Sequence, residues 1–437
     1  MKKRSTLSRW LGWLATVGAA GLILLAVLVG IARLLLPMAP EYQDNIRRFA
    51  NDATGLDVQF SQLSASWPLH GPEIRFFDVH IRTRDGRQPV LDATELSVGI
   101  NLLQLITERR LLPGRVAVRQ ADVRIERLAD GKVLVNAVPL EDLLRQPRDR
   151  QLPHLDVNLR DIGVLLHDAG RLVPDVSLMT RKLELRLAPD SIGFNGDLEG
   201  RDELGRGFEI TGALPTALLP DAVVAKDTPA PAWSFSLVAS DLELGRALRL
   251  LANQWVPLKS GRGQLEVKLA MIGLMPQQMD VDLDLGETRI ESAPGVEDTR
   301  YRQLGLSARW KRSASGWQAS VDRLLAQRGN KARKAASAEL SYNLQDSGVG
   351  QYQARADAVR LVDIWPLLRA VASSGLRSGP LPEKLLGEVQ DFALTAEVVA
   401  GKPSTWQARA TLKDVGVVMP APGWALAGVS GKLQANE

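Results

Sequence analysis

Residues 263–286 read GQLEVKLAMIGLMPQQMDVDLDLG and contain two runs with an apolar residue at every second position. The first run extends from Leu265 to Met271 and the second from Met279 to Leu285. Successive side chains on a strand point to opposite faces, so each run predicts a strand with one apolar and one polar face. Buried parallel strands would be apolar throughout. The alternation therefore favours an antiparallel sheet.

The same alternation recurs along most of the chain. A bulge is predicted near Gln120, and Asp85-Gly86 and Asp130-Gly131 predict tight turns between strands. The fold class that follows is mainly β, an extended antiparallel sheet with short helices. The further runs are Val116 to Val118, Val123 to Ile125, Leu155 to Leu159, Leu183 to Leu187, Trp233 to Leu237, Ala338 to Leu344, Phe392 to Val398 and Trp406 to Leu412.

Helices and loops interrupt the strands in a few places. Apolar residues at helical spacing predict an amphipathic helix at Glu41–Ala53, which Gly55 would end. Residues 327–335 form a basic segment that we interpret as a solvated loop. Shorter helices are predicted at Asn101–Ile106, Pro139–Arg145, Asp241–Ala252 and Asp363–Ala372, and loops at 146–153 and 221–231.

A faint internal repeat links two parts of the chain. Residues 239–251 resemble residues 356–368, and an alternating run follows each segment. The repeat predicts one unit, a helix followed by strands, that is used twice.

The N-terminal segment predicts a membrane anchor. Residues 11–32 read LGWLATVGAAGLILLAVLVGIA without a charge, and such a helix would be about 33 Å long, enough for a bilayer core of about 30 Å. The run is longer than the h-region of a cleaved signal peptide, so an uncleaved anchor over residues 11–36 is favoured. Lys2, Lys3, Arg4 and Arg9 place residues 1–10 in the cytoplasm and the body on the other side.

Charge and composition exclude several classes of protein. The sequence has no cysteine, which excludes disulfide scaffolds, thiolate metal sites and cysteine nucleophiles. Lysine and arginine number 54 against 50 acidic residues, and four of the basic residues lie in the first ten positions. The body is therefore balanced in charge, and a nucleic-acid partner is not expected.

No catalytic, metal or cofactor-binding residue is identified. His70, His80, His154 and His167 form no metal-ligand pair. The Asp280–Asp284 segment has three acids at alternate positions, but a calcium loop needs glycine directly after the third ligand and Leu285 follows instead. We interpret these acids as the outer face of a strand.

Strands with one apolar face need something that shields this face from water, and the sequence predicts few helices that could do so. A second sheet, closure into a barrel, or apolar ligands along an open curved sheet would each provide one. All three predict the same alternation, and the pattern leaves the choice open.

The order of segments resembles a known family. After the anchor the chain has GLDVQFSQLSASW at 55–67, Gly71-Pro72, PVLDATELSV at 89–98 and DVRIERLADG at 122–131, and it ends with VGVV at 415–418 and GVSGKLQANE at 428–437. This order is similar to the YhdP group of the AsmA-like family, which also includes TamB. The resemblance extends over essentially the whole chain and rests on a diffuse pattern.

The resemblance implies a location and an activity. Members are anchored in the inner membrane of double-membraned bacteria by a single pass, with the body in the periplasm. Their body is a long curved sheet with an apolar interior, related to bridge-like lipid transfer proteins. They are non-enzymatic, need no cofactor, and move phospholipids toward the outer membrane, whose barrier they support. Expected partners are the inner membrane, phospholipids, other envelope proteins and the outer membrane.

The alternative is a structural role. An envelope assembly or scaffold protein would use exposed sheet edges to recruit strands of its partners.

The resemblance also suggests a division of the chain. We expect an N-terminal β module at 37–145, a groove segment at 154–220 and groove repeats at 232–345 and 352–437. Relatives usually continue further, so the chain is expected to be an N-terminal portion. The candidate lipid-facing residues are Val116, Val118, Val123, Ile125, Leu183, Leu185, Leu187, Leu265, Val267, Leu269, Val281, Leu283, Phe392, Leu394 and Val398.

Overall fold

The computed structural model describes most of the chain after residue 39. The described residues are 30, 40–68, 71–84, 86, 88–100, 113–140, 154–169, 175–200, 204–219, 229–251, 256–291, 298–330, 334–345, 347–371, 381–399, 402–420 and 423–436. They divide into two compact units. The first holds the described residues up to Val123 with 135–138 and 154–162, and the second holds 124–134, 139–140 and those from 163 onward.

The described residues form mainly antiparallel strands with few short helices. The α-helices are α1 (Gln43–Thr54), α2 (Leu244–Leu251) and α3 (Leu361–Val371). The strands up to β11 are β1 (Asp57–Gln59), β2 (Gln62–Ser66), β3 (Glu73–Arg82), β4 (Pro89–Ile100), β5 (Pro113–Arg127), β6 (Val133–Val135), β7 (Val138–Pro139), β8 (Leu155–Asp168), β9 (Val176–Leu187), β10 (Ser191–Gly200) and β11 (Gly207–Pro215). The later strands are β12 (Ala232–Glu243), β13 (Leu258–Ile272), β14 (Met275–Glu291), β15 (Asp298–Tyr301), β16 (Gln303–Ser313), β17 (Gly316–Gln327), β18 (Ala336–Leu344), β19 (Val349–Arg360), β20 (Lys384–Val399), β21 (Lys402–Val418) and β22 (Ala425–Asn436).

The first unit is built around β3. Strands β1 and β2 both pair with β3, which pairs with β4, and β4 pairs with β5. Ile46 and Ala50 of α1 pack on a core that includes Phe60, Phe76 and Val79. The rings of Phe60 and Phe76 meet edge to face with centroids 5.0 Å apart.

The second unit is a ladder in chain order. From β9 to β22 each strand pairs antiparallel with the next, except that β15 and β16 both pair with β14. Helix α2 lies between β12 and β13, and α3 lies between β19 and β20. The repeat predicted from residues 239–251 and 356–368 therefore corresponds to two strand–helix–strand units.

The structure confirms some predicted helices and corrects others. The helix predicted at Glu41–Ala53 is α1, and the one predicted at Asp363–Ala372 is α3. The helix predicted from Asp241 begins only at Leu244, because residues 241–243 still belong to β12 and its ladder with β13 continues to Glu243.

Other predicted elements have little or no described structure. Pro139 belongs to strand β7 and not to a helix. The remainder of the helix predicted at Pro139–Arg145, apart from Leu140, lies outside the described residues, as do Asn101–Ile106 and the loop at 146–153. Of the loop predicted at 221–231, only 229–231 are described, and they have no regular structure.

The anchor predicted at residues 11–36 also lies outside the described residues, apart from Gly30, and so do Lys2, Lys3, Arg4 and Arg9. Among the residues that the structure describes, no helix has both the length and the apolar character needed to cross a membrane.

Several strands contain one residue in the left-handed conformation, which L-residues other than asparagine and aspartate rarely adopt. The predicted irregularity at Gln120 is one of these, with φ 50°. Val118 and Ala121 on either side of it are both buried, although they are three residues apart. After each such residue, the side chains that point toward the core are therefore displaced by one position along the strand. The others within strands are Asp78, Asp161, Asp241, Asp391 and Asp414.

The core of the second unit lies where the two helices cover the sheet. Leu285 and Tyr301 are 2% and 1% exposed there, and Ile364 and Ala370 of α3 belong to the same cluster. Leu244 of α2 packs against this cluster. The core therefore joins both helices to the middle strands of the ladder.

Tyr301 ties α3 to the sheet, and its removal gives a test of that link. The hydroxyl of Tyr301 donates a hydrogen bond to the carbonyl oxygen of Asp363 at 2.7 Å, and burial raises the pKa of this hydroxyl. Tyr301→Phe removes this buried hydrogen bond and should lower the free energy of unfolding by about 0.5–1.5 kcal/mol. Chemical denaturation measures the loss. Tyr352→Phe, at a 36% exposed tyrosine, should change little. Equal effects of the two substitutions would show that α3 is held by other contacts.

Candidate functional site

Pairing registers align apolar residues across the whole second unit. Partners opposite each other on neighbouring strands lie on the same face of the sheet. Following the partners from β9 to β22 gives a row of thirteen residues that contains no polar side chain. The row is Leu185, Phe194, Gly212, Phe235, Leu269, Met279, Trp310, Ala319, Leu340, Ala354, Leu394, Ala408 and Ala435.

A second row lies two residues away on the same face and is equally apolar. Together the two rows are called the apolar track. With strands about 4.8 Å apart, the thirteen-residue row is about 58 Å long when measured across the strands. The second row is Leu183, Gly196, Ile210, Leu237, Val267, Val281, Ala308, Val321, Ala338, Ala356 and Phe392.

Within the described residues of the second unit, no other layer covers the apolar track. None of the thirteen residues in its longer row is buried, and Met279 and Leu340 are 38% and 41% exposed. In the described part of the second unit, strands make extensive contacts only with their ladder neighbours and with short helices. No second sheet layer therefore lies on this face within the described residues. An apolar surface of this extent indicates a binding surface.

The two helices close one side of the track. Ile364 of α3 and Leu244 of α2 pack over the ends of the strands near Leu258, Leu285 and Leu304. At the opposite ends, β13–β14 and β16–β17 are joined by short turns at 273–274 and 314–315. Those ends are called the hairpin edge. The track is thus covered at the helix side and uncovered toward the hairpin edge.

Aromatic residues mark part of the hairpin edge. Trp317 lies opposite Tyr342, which lies opposite Tyr352. The row continues through Ala396 to Trp406, two strands beyond Tyr352. The rings of Tyr342 and Tyr352 have centroids 4.7 Å apart. Tyrosine and tryptophan have an apolar body and a polar tip, and they favour boundaries between apolar and aqueous surroundings.

The opposite face of the sheet is polar and ion-paired. The acids of the Asp280–Asp284 segment lie there, as predicted for an outer strand face. Arg309 Nε donates to Asp280 Oδ1 at 2.9 Å, and Arg323 Nη2 donates to Asp284 Oδ2 at 2.6 Å. The hydrogen bond that Arg323 donates to Asp284 raises the pKa of Arg323. The two faces are therefore chemically distinct, one suited to water and the other to an apolar ligand.

The structure brings most of the candidate lipid-facing residues together. Eleven of the candidates lie on the face of the apolar track, and two of the eleven, Leu187 and Val398, lie in flanking rows of it. They are Leu183, Leu185, Leu187, Leu265, Val267, Leu269, Val281, Leu283, Phe392, Leu394 and Val398, with Leu265 opposite Leu283 in a row nearer the helices.

Four candidates lie on β5 and are not part of the track. Val118 is 6% exposed and opposite Leu96, and Val116 is opposite Val98, so both face neighbours within the first unit. Val123 and Ile125 lie further along β5 at the division between the units.

Sequence reasoning missed Phe194, Trp310 and Ala319 as members of the track. Trp310 ends the alternating run Leu304, Leu306, Ala308, which was a signal that could have found it. Ala319 gives little hydrophobic signal by itself, and only the register reveals its place.

The described part of the second unit is therefore a ladder of antiparallel strands with one apolar and one polar face. The chain belongs to the YhdP family, whose model, described as "YhdP protein", matches residues 1–437. A stretch of 75 residues, 17% of the chain, is 37% identical to the Escherichia coli (strain K12) protein named "Intermembrane phospholipid transporter YhdP". The match spans 6% of that relative's length. No solved structure matches the chain.

Proposed function

We propose that the second unit holds phospholipid acyl chains on the apolar track and that the chain acts, without catalysis or cofactor, in phospholipid transport between membranes. The observation that carries this proposal is the thirteen-residue apolar row with no buried member. Membership of the YhdP family supports phospholipid as the ligand.

The energetics of acyl chains suit such a surface. Removing a methylene group from water is worth about 0.8 kcal/mol, and the gain is non-directional. A lipid therefore needs no specific polar site in order to bind, and it meets similar surroundings on each neighbouring strand. Because the two rows continue from strand to strand, a bound chain can move along the track without crossing a polar side chain.

The aromatic row suggests how a lipid is oriented. Helices α2 and α3 close one side of the track, so the acyl chains would point toward them. The glycerol and headgroup would lie at the hairpin edge, beside Trp317, Tyr342 and Tyr352, where polar ring tips can reach both water and ester groups.

The location follows from the predicted anchor and the family. We propose that residues 11–36 cross the inner membrane of a double-membraned bacterium once, that residues 1–10 are cytoplasmic, and that the body is periplasmic. Residues 154–220, 232–345 and 352–437 would then be successive groove segments following the N-terminal module at 37–145. The two membranes and other envelope proteins would be its partners.

Site-specific photocrosslinking in living cells tests the proposal on the full chain. A benzophenone amino acid replaces Leu269 or Leu340 on the track, or the neighbouring Lys268 or Ser341 on the polar face. With ³²P-labelled phospholipids, label should join the protein from the two track positions and not from the two controls. Absence of label at the track positions, or equal label at all four, would reject a lipid-binding track.

The same experiment bears on the scaffold alternative. Crosslinks from β22 to other envelope proteins, together with unlabelled track positions, would favour a protein that recruits partner strands.

A further inference from the structure

Four arginines surround a cleft on the polar face, near the helix-covered ends of the strands. Arg289, Arg300, Arg302 and Arg328 line a volume of about 480 Å³. One acidic side chain, Glu287, lines it with them. This region, called the basic cleft, also has Ser260 and Asn330 on its wall.

Two of these arginines oppose each other directly. Arg289 on β14 is the register partner of Arg300 on β15, and both side chains are exposed. Ile290 is buried in the core, so Arg289 points away from the core and the track. Like charges directly opposite on neighbouring strands are destabilising.

Neither arginine has an acidic partner in the described residues. Elsewhere on the polar face of the same sheet, Arg309 pairs with Asp280 at 2.9 Å and Arg323 with Asp284 at 2.6 Å. Among the residues that the structure describes, Arg289 and Arg300 make no such ion pair. The two opposed arginines lie where four arginines meet around one cleft, and this clustering indicates a place for an anion that the protein itself does not supply.

The other two arginines are held in place by neutral groups. Arg302 Nη1 donates to Asn330 Oδ1 at 2.6 Å, and Arg328 Nη1 donates to the carbonyl oxygen of Val362 at 3.2 Å. These two bonds are made to neutral groups, and Asp298 and Asp363 line an adjoining volume together with Arg300 and Arg328. Several positioned N–H donors thus remain for a ligand.

We propose that the basic cleft binds a phosphate group, carried by a lipid headgroup or by a soluble phosphate ester. Guanidinium groups match phosphate oxygens with paired, charge-assisted hydrogen bonds, and a phosphate between Arg289 and Arg300 would convert their repulsion into attraction. The site lies on the face opposite the apolar track and does not depend on the proposed lipid-carrying function.

Binding to the full chain in detergent micelles and phosphate-free buffer tests the proposal. The probes are inorganic phosphate, glycerol 3-phosphate and the phosphodiester glycerophosphoglycerol, which is a deacylated lipid headgroup. Calorimetry should show saturable binding of at least one probe. Preference for the diester would identify a headgroup site, and preference for the other two a site for soluble phosphate. No saturable binding of any probe would overturn the proposal.

The matched variants carry the same change of charge. Arg289→Gln/Arg300→Gln should bind the preferred probe about tenfold more weakly or worse, because charge-assisted bonds are lost. Its melting temperature without ligand should equal or exceed that of the wild type, since the opposed charges are gone. The control Arg355→Gln/Arg409→Gln, on exposed arginines of β19 and β21, should bind within about twofold of the wild type. Equal binding by the two double variants would also overturn the proposal.

Discussion

Aspartate in place of Leu340 should interrupt lipid binding along the track. Leu340 lies in the middle of the thirteen-residue row, and its partners are Ala319 and Ala354, which offer a carboxylate no hydrogen bond. An acyl chain that covered this strand would have to bury an unpaired charge, which is far more costly than burying a leucine. Crosslinking of labelled phospholipid at the neighbouring Ala354 should fall about tenfold or more.

The control for this change is one residue away. Ser341→Asp puts the same side chain on the same strand, with the same penalty for aspartate in a sheet, but on the polar face. It should leave crosslinking at Ala354 within about twofold of the wild type. Leu340 is 41% exposed, so neither variant should unfold the sheet. If both variants reduced crosslinking equally, the effect would come from the strand and not from its apolar face.

Alanine in place of Leu285 should have the largest effect on stability. Leu285 is 2% exposed and belongs to the core that joins α2 and α3 to the sheet. Removing its isopropyl group leaves a cavity among fixed neighbours, and the expected loss in the free energy of unfolding is about 2–5 kcal/mol. Hydrogen exchange of β14 and β16 amides reports this loss locally.

Met279→Ala is the comparison for Leu285→Ala. It shortens a side chain of similar size on the same strand, at a position 38% exposed on the track. The expected loss is about 1 kcal/mol or less, because much of the methionine already contacts water. Equal losses at the two positions would mean that protein covers the track as completely as it covers the core.

The alternation of apolar and polar residues predicted the sheet and its antiparallel strands because one face is apolar and the other polar along each strand. It also placed Leu183, Leu269 and Leu394 among the track residues. The resemblance between residues 239–251 and 356–368 predicted two helical units. Each of these predictions used the pattern of residues within short segments of the chain.

The remainder depends on relations between distant residues. Whether an apolar face is covered depends on what packs against it, and the same alternation suits a sandwich, a barrel and an open sheet. The start of α2 was predicted three residues early, because Asp241 is a left-handed residue within β12 and the pairing of β12 with β13 continues to Glu243. The meeting of Arg289, Arg300 and Arg328 depends on the pairing of four strands, β14 to β17, with Arg328 directly after the end of β17.

The ladder of the second unit also constrains how such a sheet can change in length. Among the described residues, each of its strands pairs only with neighbouring strands, and most successive strands are separated by short segments of the chain. Insertion or loss of one hairpin would change the track by about 9.6 Å while the flanking strands kept their direction and inward-facing residues. Insertion of a single strand would reverse the direction of all that follow. The length of the track can therefore change in steps of two strands. Each inserted hairpin needs a compatible register only with the two strands that flank it.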